Sequence, residues 1–450
     1  MACTGNNATP PGPAEAPGAE RIDPLEAAAQ AAERGVDARL RRWVPGLDAP
    51  FVQAGLAGYS DAAMRIMARR HGCPMCVTEA LLDRALLGGG RGFDKADLEL
   101  IRDNVPGGEE DRPLVGQLIG SDPDEMAVAA LKMIEQGARA DREYRRLAYG
   151  ENGGPRATEI GIRSDEAPGR LGAPGAGRAS WVNPAVPATS PEGEPLGFAS
   201  IEVNLACPVK KIQAKARGGH WLAEPEGAIA ILRAVRAAVP AGTACSVKLR
   251  RAFDDTPEQA RNFEVIFEAA YELGYAWATV HARTVAQKYM GPSRWACLRD
   301  LVRRHPDRPV LGSGDVWEAG DIFRMLAYTG VSAVSVARGC IGNPWLFRQA
   351  RAMLAGRAPE PPTVAEQGSV LREHYRLASA LVGEGSASRT MRKFGIRFAA
   401  HHPRGEQVRQ RMIGAASAPQ WWSVLDEFYG EEPAGAGAAA GSVGRVAAGG

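Results

Sequence analysis

The sequence predicts an α/β protein, a (β/α)8 TIM barrel with a C-terminal all-helical domain. Three observations carry that expectation. Between residues 50 and 356, short apolar runs alternate eight times with segments of mostly helical spacing, the pattern of parallel strands buried on both faces by crossover helices. An open doubly wound sheet would place a Gly-x-Gly-x-x-Gly turn after an early strand, and the chain has none. Beyond Pro361-Pro362 the strands stop and only helical spacing continues.

The elements follow in order. Residues 1–22 are rich in Ala, Gly and Pro, a composition that buries too little apolar surface to order itself. Asp23 to Arg42 has helical character, with Asp23 as cap and Pro24 at the first helical position; residues 1–49 thus form a disordered and then helical extension. The predicted strands are Phe51–Ala54, Met75–Thr78, Leu114–Ile119, Ser200–Asn204, Ala244–Leu249, Ala278–His281, Pro309–Gly312 and Ala333–Ala337. Helices are expected at Asp61–His71, Asp122–Gln136, Glu224–Val239, Pro257–Gly274, Trp295–Arg304, Glu318–Thr329 and Pro344–Ala355; the one after the second strand is indistinct. Residues 139–198 interrupt the rhythm with breaker clusters such as Ala173-Pro174-Gly175 and read as a low-complexity insertion into the barrel of residues 50–356. Residues 363–430 form the helical domain, and 431–450 a Gly/Ala tail expected to be disordered.

Composition narrows the function classes. The 54 basic and 52 acidic residues nearly cancel, so any nucleic-acid contact must come from a local patch. Seven scattered cysteines show no disulfide rhythm, which points to a reducing compartment. Cys73-Pro74-Met75-Cys76 has metal-ligand or redox spacing but no second pair, and no metal site is expected. No apolar run approaches a membrane span and the N-terminus lacks a signal-peptide core. A cytoplasmic protein with neither a membrane association nor an obligate protein partner is the expectation.

Catalytic groups of such barrels sit at the C-terminal strand ends, and those positions are polar with unusual regularity. They carry Gly55-Leu56-Ala57, Glu79, Gln117, Asn204 with Cys207, Lys248 with Arg250, His281 with Arg283, Ser313-Gly314-Asp315, and Ala337-Arg338. Pro208 ends the fourth strand and presents Cys207 on a loop near Lys210, Lys211 and Lys215, the partly exposed electropositive setting of a reactive thiol. The glycine loops at Gly312-Ser313-Gly314 and Arg338-Gly339 follow the seventh and eighth strands, where this fold commonly binds phosphate. Lys248 and Gln117 are placed to hydrogen-bond a flavin ring and stabilise negative charge on it.

Several segments resemble the tRNA-dihydrouridine synthase family. Asn204-Leu205-Ala206-Cys207-Pro208 is similar to its Asn-x-Gly-Cys-Pro, His281-Ala282-Arg283-Thr284 with Gln287 to its His-x-Arg-Thr-x-x-Gln, Gly312-Ser313-Gly314-Asp315 to its Gly-Asn-Gly-Asp, and Arg338-Gly339-Cys340-Ile341-Gly342-Asn343-Pro344-Trp345 to its Arg-Gly-x-x-Gly-Asn-Pro-Trp. Departures are Ala206 and Ala337 for glycine, Ser313 for asparagine, Gly55-Leu56 within the family's Ala-Pro-Met-Ala-Gly, and His220-Trp221 in a Gly/Ala-rich loop. The resemblance implies FMN held by Gly55, Leu56, Ala57, Gln117, Lys248, His281, Ser313, Gly314, Asp315, Ala337 and Arg338, NADPH (or NADH) as electron donor, and Cys207 as the acid.

The helical domain fits the same expectation. Arg389, Arg392, Lys393 and Arg397 recur at helical spacing, and seven Lys/Arg face a single acid between Ser386 and Met412. The stripe suits RNA phosphates, and in the family the equivalent domain grips tRNA; Asn204, Arg250 and Arg283 are the expected substrate contacts in the barrel. Two other readings stay open, a different FMN barrel reducing a small pyrimidine and a non-enzymatic tRNA-binding protein.

Overall fold

In the computed structural model, residues 16–87, 109–139 and 197–430 are described. They belong to two compact units divided between Pro361 and Pro362. Residues 140–196, which are most of the insertion expected at 139–198, lie outside the described residues, as do 1–15, 88–108 and the tail at 431–450.

Nine strands form the first unit's sheet: β1 Phe51–Gln53, β2 Cys76–Val77, β3 Leu81–Leu82, β4 Leu114–Ile119, β5 Ser200–Asn204, β6 Ala244–Arg250, β7 Trp277–His281, β8 Val310–Ser313 and β9 Ala333–Val336. All pairings are parallel; β1 joins β9 and β2 joins β4, so eight strands close a barrel, with β3 added beside the end of β4. The eight predicted strands are these eight, shifted by at most one or two residues at their ends. The extra β3 was not legible, because two residues carry no period. The helix expected to be indistinct is a five-residue piece, Asp83–Leu87.

Alternation along the strands sorts the side chains. Val203, Val247 and Leu249 are completely buried, while Glu202, Ser246, Lys248 and Thr279 share the inner face through the registers Glu202–Ser246 and Lys248–Thr279. Ser200 and Ser246 hydroxyls meet at 2.9 Å inside the barrel.

The N-terminal segment corrects one expectation and sharpens another. Residues 16–22, expected to be disordered, include a 3-10 turn at Ala19–Arg21 that packs against the helix Ala319–Thr329. Asp23 to Arg42 is two helices, Pro24–Arg34 and Ala38–Arg41. Gly35 breaks them at φ 68° and Asp37 caps the second, a backbone state that glycine adopts without steric cost. Val36, Leu40, Val44 and Leu47 then pack in one apolar cluster with Val52, Val115, Ala244, Trp277, Leu311 and Ala333. The segment is therefore the floor of the barrel, closing the N-terminal ends of the strands. Asp37 accepts from the Ser332 hydroxyl at 2.7 Å, Arg39 donates to the Pro306 carbonyl at 3.0 Å, and Arg351 pairs with Asp48 at 2.7 Å.

The second unit contains helices Val364–Val382, Glu384–Phe398, Gly405–Gly414 and Ala418–Tyr429. Thr363 and Glu366 form a reciprocal capping box that fixes where the first begins. Its core holds Leu371, Tyr375, Met391, Phe394, Met412 and Trp421. No helix among the described residues is long and apolar enough to cross a membrane.

Candidate active site

At the C-terminal end of the barrel, Glu202 reaches inward from β5 and is 2% exposed. Its Oε2 accepts from Gln117 Nε2 at 2.5 Å and its Oε1 from the Thr279 hydroxyl at 3.1 Å. Burial raises its pKa, opposed by the charge of Lys248 and by these two donors. Burial likewise lowers the pKa of the half-buried Lys248, with Glu202 pulling it back up. Gln117 Oε1 accepts from Asn204 Nδ2 at 2.8 Å, and Asn204 Oδ1 accepts from the Ala206 amide at 2.9 Å. Gly55 is pressed against this floor: a Cβ there would collide with the Thr78 carbonyl and touch the Gln117 amide.

Cys207 follows β5 on a partly exposed loop. Its carbonyl accepts from the Gly219 amide at 3.0 Å. A Cβ on Gly218, at φ 58°, would lie 2.8 Å from the Cys207 Cβ, and one on Gly219 would lie 2.9 Å from its carbonyl. These two glycines are required by close approach. Trp221 donates to the Gly120 carbonyl at 3.3 Å, and His220 pairs with Glu224 at 3.0 Å. Lys210 and Lys215 are exposed; the side chain of Lys211 lies outside the described residues. The nearer positive charges are Lys248 and Arg250, whose titration responds to Cys207.

Arg250 and Arg283, expected to meet RNA, have other work. Arg250 donates to the carbonyls of Ala206 at 2.9 Å, Thr284 at 2.8 Å and Lys288 at 2.7 Å. It ties the Cys207 loop to the loop after β7. Burial brings its pKa down to about 10, with Arg283 and Arg338 adding to the fall and Tyr289 opposing it. Arg283 is fully buried and donates to both oxygens of Asp315 at 2.7 Å and to the Gly291 carbonyl at 2.7 Å. Neither side chain presents a solvent-facing charge, because a guanidinium at a strand end inside the barrel has carbonyls and a carboxylate within reach. Asn204 is also buried and its amide is engaged on both sides.

The loops after β7, β8 and β9 enclose a cationic cradle. His281 is pushed well below the ordinary imidazole range by burial and by Arg250, Arg283, Lys248 and Arg338 around it. Its Nε2, the Ser293 hydroxyl and Arg283 Nη1 are buried without a hydrogen-bond partner among the described residues. Gly314 has φ 123°, and a Cβ there would lie 2.9 Å from Ser293 and 3.3 Å from the His281 ring. Asp315 also adopts a left-handed conformation, φ 51°, held by Arg283 and by the Ser293 amide at 2.6 Å. Arg338 lies between two rings, 5.0 Å from the centre of Tyr289 and 4.8 Å from that of Trp317. Four cations, orphaned donors and a glycine-lined approach meet the requirements of a bound anion.

Three groups here escaped the sequence reading. Glu202 and Thr279 lie within strands, where alternation would have placed them on the inner face. Tyr289, 50% exposed beside Met290 at 68%, sits in a loop without periodicity, and its contacts with Arg250 and Arg338 are tertiary.

A family model for dihydrouridine synthase (Dus) matches residues 189–420. The chain belongs to the dihydrouridine synthase family. Among its relatives, the probable tRNA-dihydrouridine synthase of Mycobacterium leprae is 34% identical over 236 residues, 52% of this chain and 60% of that protein. That of Treponema pallidum is 32% identical over 231 residues, 50% of this chain and 67% of the relative. The tRNA-dihydrouridine synthase B of Shewanella oneidensis is 27% identical over 389 residues, 85% of this chain and 95% of that protein. The chain thus spans about three fifths of the length of the mycobacterial relative it matches. The dihydrouridine synthase match covers β5 through β9 and continues into the second unit, taking in Cys207, Lys248, His281, Asp315 and Arg338.

Elsewhere, Cys73 and Cys76 are buried with sulfurs 3.9 Å apart, and no group among the described residues could hold a metal ion. In the second unit Arg389, Arg392 and Arg397 are exposed, and Lys393 sits 5.3 Å from the Phe394 ring. Further along, Arg409 and Arg411 pair with Glu406 and Glu427, so the seven-residue stripe narrows to its first part.

Proposed function

We propose that this chain is a tRNA-dihydrouridine synthase that reduces uridine in tRNA to 5,6-dihydrouridine, with Cys207 as general acid. The observation that carries the reading is a partly exposed thiol tethered at the end of β5, next to a cationic cradle with unsatisfied donors, in a chain of this family. The cradle suits the phosphate of FMN: His281, Ser313, Gly314, Ala337 and Arg338 would hold that end, and Gly55, Leu56, Ala57, Gln117 and Lys248 the ring. When bound, the flavin would supply a hydride, drawn from NADPH, to C6 of the uracil ring.

The chain's own residues do the rest. Cys207 protonates C5, which completes the addition of hydride and proton across the double bond and leaves the thiolate to be reprotonated by solvent. A proton donor must keep its proton near neutral pH, and Lys210 and Lys215 are exposed to solvent. Arg250 and Asn204 hold the loop by its backbone, and Lys248 supplies positive charge where the reduced ring is most negative. Asp315 contributes through its backbone position, since its carboxylate is taken by Arg283. Arg389, Arg392, Lys393 and Arg397 make the second unit the tRNA-binding element, and tRNA as substrate implies a cytoplasmic enzyme.

The test is to incubate purified protein with FMN, NADPH and unmodified tRNA transcript and to measure dihydrouridine by mass spectrometry. Formation in tRNA and not in free uridine or uracil supports the reading. Reduction of a free pyrimidine alone would assign the barrel to small-molecule chemistry, and tRNA binding without a yellow chromophore would make it a binding protein.

A further inference from the structure

The polar groups below the mouth form a hydrogen-bond chain with a single sense. The Ala206 amide donates to Asn204 Oδ1 at 2.9 Å, Asn204 Nδ2 donates to Gln117 Oε1 at 2.8 Å, and Gln117 Nε2 donates to Glu202 Oε2 at 2.5 Å. Thr279 closes it from the other side, donating to Glu202 Oε1 at 3.1 Å. Every donor points toward Glu202. An amide side chain is ambiguous by itself, since rotating it by half a turn exchanges donor and acceptor. An ionised carboxylate is not, because it only accepts. With Glu202 at the end of the chain, Gln117 must present its NH2 to the carboxylate and its oxygen to Asn204. Asn204 must then present its NH2 to Gln117, which leaves its oxygen for the amide one residue before Cys207.

We propose that Glu202 is a positioning residue that sets the sense of this chain and so fixes both the Gln117 amide on the floor and the loop that carries Cys207. It touches neither the reacting ring nor the thiol; it acts through two amides. The inference rests on Cys207 as the acid for its catalytic consequence, but its structural part stands apart from that reading. Registers agree with it: Gln117 lies beside Glu202 and Asn204 beside Lys248 across the parallel ladder, so the four side chains occupy neighbouring inner positions. Burial raises the Glu202 pKa, and the charge of Lys248 and the two donors oppose that rise and favour the carboxylate. Uncompensated, it would take up a proton, gain a donor and lose its ability to dictate direction.

The experiment has an arm that needs no cofactor. Hydrogen–deuterium exchange across residues 204–207 in flavin-free protein reads the chain directly. Glu202→Leu should accelerate that exchange by about tenfold and slow single-turnover reoxidation of the reduced flavoprotein by tRNA by about tenfold, the usual worth of an orienting partner. Glu202→Gln, which can still accept from Gln117 but carries a donor of its own and no longer dictates direction, should shift both readouts the same way by about threefold, between the parent and the Leu variant. Adding Asn204→Ala to Glu202→Leu should cost little more, because the chain is already broken. Unchanged exchange in Glu202→Leu, a Gln variant indistinguishable from the parent in both readouts, or additive losses with Asn204→Ala would overturn the proposal. If Glu202→Leu does not fold, Gln117→Leu interrupts the chain one link later, and its exchange at 204–207 decides in the same way. Accelerated exchange with no reoxidation by tRNA even in the parent would sink the functional reading and leave the positioning role standing.

Discussion

The two ends of the barrel are made from the same strands and treat polarity in opposite ways. At the floor, Val36, Leu40, Val44 and Leu47 bury an apolar layer against the strand starts, and the charged groups around it, Asp37, Arg39, Asp48 and Arg351, are paired. At the mouth, four cations crowd His281 with the Asp315 carboxylate shared by two of them, and buried polar atoms go without partners among the described residues. Like charges held together cost stability that the rest of the fold must offset. A packed floor is what permits an unrelaxed mouth, and a site kept ready for an anion is one that is unfavourable without it.

That contrast can be broken in several places. The largest effect is expected at the thiol: Cys207→Ala should keep the fold, bind FMN and be reduced by NADPH, while uridine reduction falls by roughly two to four orders of magnitude. Single-turnover reoxidation by tRNA is the measurement, and a parental rate would remove Cys207 as the acid. At the opposite end, Leu40→Ala should cost about 2–5 kcal/mol in urea unfolding through the cavity it leaves, with the chemical step in the surviving folded protein unchanged. A specific loss of reoxidation rate in that variant would mean that the floor is not merely structural. Arg338→Ala should weaken FMN binding by about ten- to a hundredfold yet change the urea stability of the flavin-free protein little, because relief of crowding around His281 is offset by loss of the contacts with Asp315, Tyr289 and Trp317. A clear loss of stability would contradict the unrelaxed mouth.

Acid should separate the two ends. His281 has its pKa lowered by folding, so the unfolded chain binds a proton that the native state refuses. Its contribution to stability is present above the ordinary imidazole value and declines as pH falls below it, by roughly 1.4 kcal/mol per pH unit. Asp37 has the same sign lower on the pH scale, for the opposite reason: its charged form is favoured. Burial alone would raise it, but hydrogen bonds from Arg39 and Ser332 outweigh burial and bring it to about 2. The stability it supplies is present above its ordinary value of 3.8 and is lost as pH falls through 2. Urea midpoints of flavin-free protein should therefore begin to drop near pH 6.5, and His281→Phe should flatten that first decline without altering the one below pH 4. The smallest effect is expected in the second unit. Reversing the charge at Arg389, Arg392 and Arg397 should reduce the salt slope of tRNA binding by about one for each phosphate no longer neutralised, and an unchanged slope would mean that the stripe is only solvated.

The eight strands were legible because each is a short apolar run between breakers, and the mouth because polar residues interrupt those runs at a consistent end. Cys207 and Lys248 stand out for that reason. The roles of Arg250 and Arg283 were not legible. A sequence shows that an arginine lies near a strand end, but it does not show the carbonyls of Ala206, Thr284 and Lys288 or the carboxylate of Asp315 that claim it. The floor was hidden for a related reason. Val36, Leu40, Val44 and Leu47 recur at helical spacing after the Gly35 break, but that spacing does not name their partners, which lie at strand starts scattered between positions 52 and 333. Glu202 was read as part of a strand and became informative only through its two donors.

The ties at the floor also bear on the order in which the molecule can be assembled. Asp37 meets Ser332 across 295 positions and Asp48 meets Arg351 across 303, while β1 can complete the ring only with β9. Until the chain has been made past those residues, β1 has an unpaired edge and the apolar side chains of residues 36–47 lack much of their cover. Closing the ring and sealing its base are thus one late event, paid for by loop closure over most of the barrel's length. A nascent chain exposes that edge and that apolar stretch for nearly the whole of its synthesis, which makes the first fifty residues the place where a chaperone would have most to protect.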